Sequence, residues 1–426
     1  MQNFLNKNIF TISLFVFLIF FSPLFFYSFK YIINIWAFSD AFINYSHGFV
    51  RRGLLGELII QLNKTFGVEV FYIHSFIFLI FTVINLILFL KLLYKVSDDR
   101  LTYFFLLFNP ALILFPLYDT GGYLRKETFV ICLMLIHTIV CSKYHKGDLS
   151  IDRYNKFLLL LVPLVSISTL NHEIQFFLIP FHICLTLNVY FEKISIREIK
   201  IVSRTSLLYL NLYLITFIPF FYFIFNPTEI NQLKDIYENV LKYNQNILWD
   251  PIKFVSNPLQ SAIITETKNM FGSLNAIKTY SVSIMLALLP IFYIFSKYNN
   301  DNSILIKNHF LIILLILPIF LMFFIGRDWG RWINLMTFAV VLYYLQFNIK
   351  RKYKLVFFTK KDSYPRVIIS ILLILLLTYY LLFMMIPHCC NNTNYHMGGL
   401  IENFRMAFEV FFGDFNFHLD KTFRKN

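Results

Sequence analysis

Val70 to Leu90 reads VFYIHSFIFLIFTVINLILFL, 21 residues without a charge. At a rise of about 1.5 Å per residue, a helix of that length crosses about 30 Å, the thickness of a bilayer's hydrocarbon core. Comparable apolar runs recur on both sides of it, at 10–29, 101–117, 127–142, 157–170, 174–191, 205–225, 281–296, 308–325, 332–347 and 366–386. With 58% hydrophobic and only 15% charged residues, the chain cannot leave a polar surface around a buried core, which excludes an ordinary soluble domain. The expectation is an all-α polytopic integral membrane protein of about 11 transmembrane helices, forming one multi-pass domain over 1–426. The run after Lys7 has no small-residue cleavage site behind it and reads as a retained anchor.

Lys and Arg set the orientation. With the N-terminus inside, they are roughly two and a half times denser in the segments on its side than in those on the other. The predicted N-terminus is therefore cytoplasmic and the C-terminus external. The formal charge of +14 is mostly this topology signal, and no basic face is gathered for nucleic acid. Cys132, Cys141 and Cys184 fall in or at the ends of spans and read as packing residues, while Cys389 and Cys390 lie in the outer tail, 387–426.

The unusual polar clusters all fall on the predicted outer side. Ser39 to Glu57, SDAFINYSHGFVRRGLLGE, packs Asp40, His47, Arg51, Arg52 and Glu57 around glycines, and is followed by Leu54, Leu55, Leu58, Ile59 and Leu62 at the spacing of an interfacial helix. Two adjacent arginines at a helix N-terminus suit an anionic group such as phosphate. They also suit interfacial residues that end a helix with their charges in water. Leu117 to Phe129 carries Asp119, Arg125, Lys126 and Glu127 around Gly121 and Gly122, readable as a capped turn or as part of a site. Lys126 and Glu127 look like the start of a helix. Asn171-His172-Glu173 places an ionisable pair in a turn at membrane depth.

Two further stretches complete the outer face. The loop 226–280 has Ile230, Leu233, Ile236, Tyr237, Val240 and Leu241 at helical spacing between charges, an amphipathic helix on the membrane surface and a candidate lid. Gly326 to Trp332, GRDWGRW, combines Arg327, Asp328 and Arg331 with two tryptophans. It fits an interfacial aromatic anchor. It equally fits a sugar-phosphate site, with an indole such as Trp332 under the sugar and arginines on the phosphate. No nucleotide-binding glycine loop, GxSxG or metal-ligand spacing occurs, so no cofactor or metal is expected.

This layout, an acidic residue early in the first outer loop before an interfacial helix and scattered outer arginines, resembles the GT-C class of glycosyltransferases. The Phe-, Ile- and Asn-rich composition is also similar to the Wzy-type polymerases of O-antigen and capsule assembly. The resemblance implies a bacterial inner-membrane enzyme taking sugar from a polyprenyl-(pyro)phosphate-linked sugar or oligosaccharide, among membrane lipids and other polysaccharide-assembly proteins. Only one carboxylate stands where the family has an acidic pair, so arginines would replace a metal. A sugar on a lipid phosphate is already activated, so the chemistry needs a proton acceptor for the acceptor hydroxyl and charge for the leaving phosphate. Asp40 is the candidate base, with Glu173 or His172 next. Arg51, Arg52, Arg125, Arg327 and Arg331 are candidate phosphate clamps, with His47, Asp119, Asp328 and Trp332 as further substrate contacts. Two rivals stand beside this reading: a lipid-linked-oligosaccharide flippase or other transporter, which should carry charged residues near the middle of its spans and weak symmetry between its two halves, and a non-catalytic assembly protein.

Overall fold

The structure is a computed structural model. It describes residues 35–96, 100–118, 124–191, 217–258, 271–296, 302–326 and 328–347, with isolated positions within 11–22, 213–214, 263–268 and 368–386. Asp119, Arg327, Cys389, Cys390, the tail 387–426 and most of the expected first and last spans lie outside the described residues.

The regular structure of the described residues is all helix, with no strand among them. In chain order the helices are α1 (Ile35–Ala41), α2 (Gly53–Phe66), α3 (Val70–Leu93), α4 (Arg100–Leu107), α5 (Phe115–Tyr118), α6 (Glu127–His145), α7 (Ile151–Asn171), α8 (Ile174–Phe191), α9 (Phe217–Phe225), α10 (Ile230–Leu241), α11 (Trp249–Lys253), α12 (Leu274–Ser296), α13 (Asn302–Ile325) and α14 (Trp329–Leu345). Val70–Val96, Glu127–His145 and Ile151–Asn171 are long and apolar enough to cross a membrane, and Ile174–Tyr190, Leu274–Leu288 and Leu311–Ile325 are shorter apolar helices.

Helix α6 sits at the centre, packed against α3, α7, α8 and α14. Helix α14 is apolar nearly all round and buried along its length except at Tyr344, as a helix enclosed by others must be. On α3, short of Lys91 at its end, the exposed residues are apolar: Tyr72, Phe76, Ile80, Ile84 and Ile87 form one stripe at helical spacing. The opposite face buries Phe78, Leu86 and Phe89 together with His74, Ser75 and Asn85. A face of this kind suits hydrocarbon outside and helices inside. Leu159, Leu160, Leu164 and Ile167 repeat the arrangement on α7.

The expected span at 101–117 is not one helix. It stops at Leu107, turns through Asn109 and Pro110, and resumes only as the short α5. Proline cannot donate to the helical ladder, and the exposed backbone is satisfied from neighbours. Asn109 Oδ1 accepts from Ala111 N at 2.9 Å, and Asn334 Nδ2 on α14 donates to the carbonyls of Ala111 (3.0 Å) and Leu112 (3.1 Å). One helix ends at Asn171 and the next begins at Ile174, and one ends at Ile325 and the next begins at Trp329, so neither pair of spans is a single long one.

Candidate functional site

Between α1 and α2 the chain folds back on itself. Ser46 N donates to Asn44 Oδ1 (2.8 Å) and Tyr45 N to Glu57 Oε2 (3.2 Å), so Glu57 fastens the loop to the helix that follows it. A Cβ on Gly56 would lie 2.1 Å from the carbonyl oxygen of Ile43, and one on Gly53 would lie 2.3 Å from the Tyr45 ring. The glycines of the motif thus let the loop pack on its own helix. At the N-cap of α2 stands Arg52, with φ of 64°, a left-handed conformation that is costly for a residue with a Cβ.

Several interactions hold it there. Lys126, at the N-cap of α6 and 2% exposed, donates from Nζ to the carbonyls of Asp40 (2.9 Å) and Arg52 (3.1 Å) and stands 3.2 Å from Asp40 Oδ2. The Arg52 guanidinium donates from Nη1 to Asp40 Oδ1 (3.0 Å) and from Nε to Glu173 Oε1 (3.0 Å) and Oε2 (2.7 Å), with a further short contact from Nη2 to Glu173. Asp40 and Glu173, far apart in sequence, are therefore joined through one arginine. Arg51 reaches the same carboxylate, Nη1 to Glu173 Oε1 at 3.7 Å, and donates from Nη2 to the Phe254 carbonyl at 2.9 Å.

A second group adjoins the first. Glu127, the first residue of α6, receives Arg331 of α14 on Oε1, and Arg331 also binds Asp328. His172 Nε2 faces Glu127 Oε1 at 3.6 Å and its Nδ1 lies 3.8 Å from Glu173 Oε2. Nδ1 accepts the Ile174 N–H at 3.1 Å, which assigns the ring proton to Nε2, toward Glu127. The N-termini of α2, α6, α8 and α14 thus meet at one place, each presenting the positive end of a helix.

Burial alone would raise the carboxyls of Asp40 and Glu173, but neighbouring charges outweigh it. Lys126 and Arg52 hold Asp40 well below the usual carboxylate range, and Arg52, His172 and Arg51 do the same for Glu173. Burial brings His172 down to about 4, with Arg52 adding to the effect, so its ring is neutral at pH 7.

The loop beyond α9 covers this group. Helix α10 buries Leu233, Ile236 and Val240, and α11 packs on α1. Leu248 N donates to Ser39 Oγ (2.8 Å) and Gln232 Nε2 to the His47 carbonyl (2.7 Å). The Phe254 ring lies 5.9 Å from the guanidinium carbon of Arg51 and 5.6 Å from that of Arg52. The loop thus meets the two arginines through Phe254.

Of the residues expected from sequence, the structure brings together Asp40, Arg51, Arg52, His172, Glu173, Asp328 and Arg331. Arg125 is buried beside them, close enough for its charge to act on Glu127. His47 is exposed and contributes its backbone carbonyl. Trp332 is buried, with the Arg331 guanidinium 5.2 Å from its ring and its indole N–H on the Gly326 carbonyl at 3.3 Å. Sequence reasoning passed over Lys126 and Glu127, which looked like the charged start of a helix. The available signal was that their neighbours on α6 are apolar, leaving charges at a span's end with no polar face to stand on. Among the described residues no group of three or more His, Cys, Asp or Glu side chains is arranged to hold a metal ion. No family model matches the chain, and no curated protein or solved structure matches it at a significant level.

Proposed function

We propose that this chain is a membrane glycosyltransferase that takes sugar from a polyprenyl-(pyro)phosphate carrier at the outer face of the bacterial inner membrane, in surface-polysaccharide assembly. About eleven spans, a cytoplasmic N-terminus and an external C-terminus complete the reading. The observation that carries it is the convergence of Arg51, Arg52, Lys126 and Arg331 with Asp40, Glu127 and Glu173 where helix N-termini meet. Cations and helix N-termini suit a lipid-linked phosphate, and carboxylates suit sugar hydroxyls. Arg51 is the most available of these cations, with a side chain 20% exposed, its Nε without a hydrogen-bond partner and its nearest carboxylate at 3.7 Å. Arg52, tied to two carboxylates, sets the shape of the site.

The test is the surface glycan of a strain lacking the chain. Wild type restores it, while Arg51→Met, present at the same membrane level, does not; full restoration by that variant removes the phosphate clamp.

A transporter of lipid-linked oligosaccharide is the second reading, favoured by polar groups buried inside the bundle. His137 and His182 meet Nδ1 to Nδ1 at 3.0 Å, and His137 Nε2 lies 3.0 Å from Tyr154 Oη. Translocation of a labelled lipid-linked glycan by the purified chain in vesicles, with no new glycosidic bond, would favour it.

A further inference from the structure

Four carboxylates meet in the cluster, and their oxygens are not equally occupied; Asp328 takes Arg331 on Oδ2. Both oxygens of Asp40 face cations, Oδ1 toward Arg52 and Oδ2 toward Lys126. Both oxygens of Glu173 accept from Arg52. Glu127 differs: Oε1 takes Arg331 and faces His172, while Oε2 is buried with no hydrogen-bond partner among the described residues. It is the one carboxylate oxygen in that condition among them. A buried charged acceptor left without a donor costs more than a neutral one, so the arrangement calls for a ligand that donates.

Arg331, which pairs with Glu127, and the residues on either side of His172 in the chain share the property. Arg331 keeps Nε unpartnered; Asn171 Oδ1 and both amide atoms of Gln175, which flank His172 within a turn, are likewise buried and unpartnered. Gln175 is 0% exposed. One cationic donor, one amide donor and several acceptors match the hydroxyls of a sugar, each of which can donate and accept.

We infer that Glu127 Oε2 receives the acceptor hydroxyl and takes its proton, with Asn171, Gln175 and Arg331 binding the rest of the acceptor sugar. The inference rests on the glycosyl-transfer reading and assigns its base. The acceptor O–H bond breaks and its proton passes to Glu127 Oε2. The freed oxygen pair forms the bond to the donor's anomeric carbon, while the bond from that carbon to the carrier phosphate breaks and its pair leaves on the phosphate oxygen, beside Arg51. The proton returns to solvent after the product departs. Arg51, Glu173 and Asp328, with side chains 20%, 23% and 25% exposed, are the partly exposed members of the cluster.

The experiment compares initial rates of glycan synthesis in membranes of the deletion strain, fed by its own lipid-linked pool, with equilibrium binding of undecaprenyl phosphate to the purified full chain in nanodiscs. Glu127→Gln should lower the rate by about 10²-fold or more while binding stays within about twofold. Glu127→Asp, which keeps a carboxylate, should recover part of the rate. A Glu127→Gln rate within about fivefold of wild type overturns the assignment, as does a Glu127→Asp variant that is stable yet no faster than Glu127→Gln. If Glu127→Gln fails to reach the membrane, Gln175→Leu decides: slower synthesis with unchanged undecaprenyl phosphate binding supports the acceptor site, and an unchanged rate overturns it. Wild-type membranes that make no glycan would remove the transferase reading and this assignment together, whereas an active wild type with an active Glu127→Gln removes the assignment alone.

Discussion

Replacing Lys126 with Met tests how the cluster is built. The ammonium has three protons and three oxygen neighbours, the carbonyls of Asp40 at 2.9 Å and Arg52 at 3.1 Å and Asp40 Oδ2 at 3.2 Å. Methionine fills a similar volume without a donor. Its introduction leaves Asp40 charged, buried and paired with Arg52 alone, and removes the contact that holds the carbonyl of the left-handed Arg52. Removing one partner of a buried ion pair costs about 3–5 kcal/mol, and the two lost carbonyl contacts overlap with that figure rather than adding to it. The assay is equilibrium unfolding of the full chain in mixed micelles. Lys126→Met should lose about 3–5 kcal/mol, and adding Asp40→Asn should return part of it, with a coupling of about 0.5–3 kcal/mol. A loss below about 1 kcal/mol, or strict additivity in the double variant, would refute the view that this lysine sets the cluster.

Further outcomes follow from the same geometry. His172 titrates near 4 when folded and near 6.5 when unfolded, so as pH falls through that window the unfolded chain binds the proton first; stability should drop by about 3 kcal/mol, and His172→Gln should remove this part of the slope in unfolding curves taken from pH 7 to 4, leaving the part below about pH 5 that comes from the lowered carboxyls of Asp40 and Glu173. Gly56→Ala should destabilise by about 1–3 kcal/mol or more, since its Cβ would sit 2.1 Å from the Ile43 carbonyl oxygen; an unchanged melting temperature would contradict the close loop-to-helix packing. A cysteine placed at the exposed His47 should react with an impermeant reagent in intact cells once the outer membrane is made permeable, and labelling only after the inner membrane is opened would reverse the orientation.

Much of the fold was legible because hydrocarbon imposes long apolar helices, as at Val70–Leu93 and Glu127–His145. The break at Asn109 and Pro110 was not, because apolar composition continues through it and only the Asn334 contacts show how the freed backbone is satisfied. The Asp40, Arg51, Arg52 and Glu173 group could be suspected from its density of charge beside apolar runs. Lys126 and Glu127 hid in plain view, since a helix cap and a buried ion-pair partner require the same residue types. The tight packing at Gly53 and Gly56, where a Cβ would meet Tyr45 and Ile43, was not legible either, because a glycine's need for space depends on what folds against it.

The most direct test of the central claim is the binding of undecaprenyl phosphate, against its uncharged alcohol, to the purified full chain in nanodiscs. A phosphate clamp centred on Arg51 predicts clear preference for the phosphate, and a loss of about 10- to 100-fold in Arg51→Met, the equivalent of one charge-assisted hydrogen bond. Equal binding of the two lipids, or an Arg51→Met variant that binds the phosphate as wild type does, would contradict it.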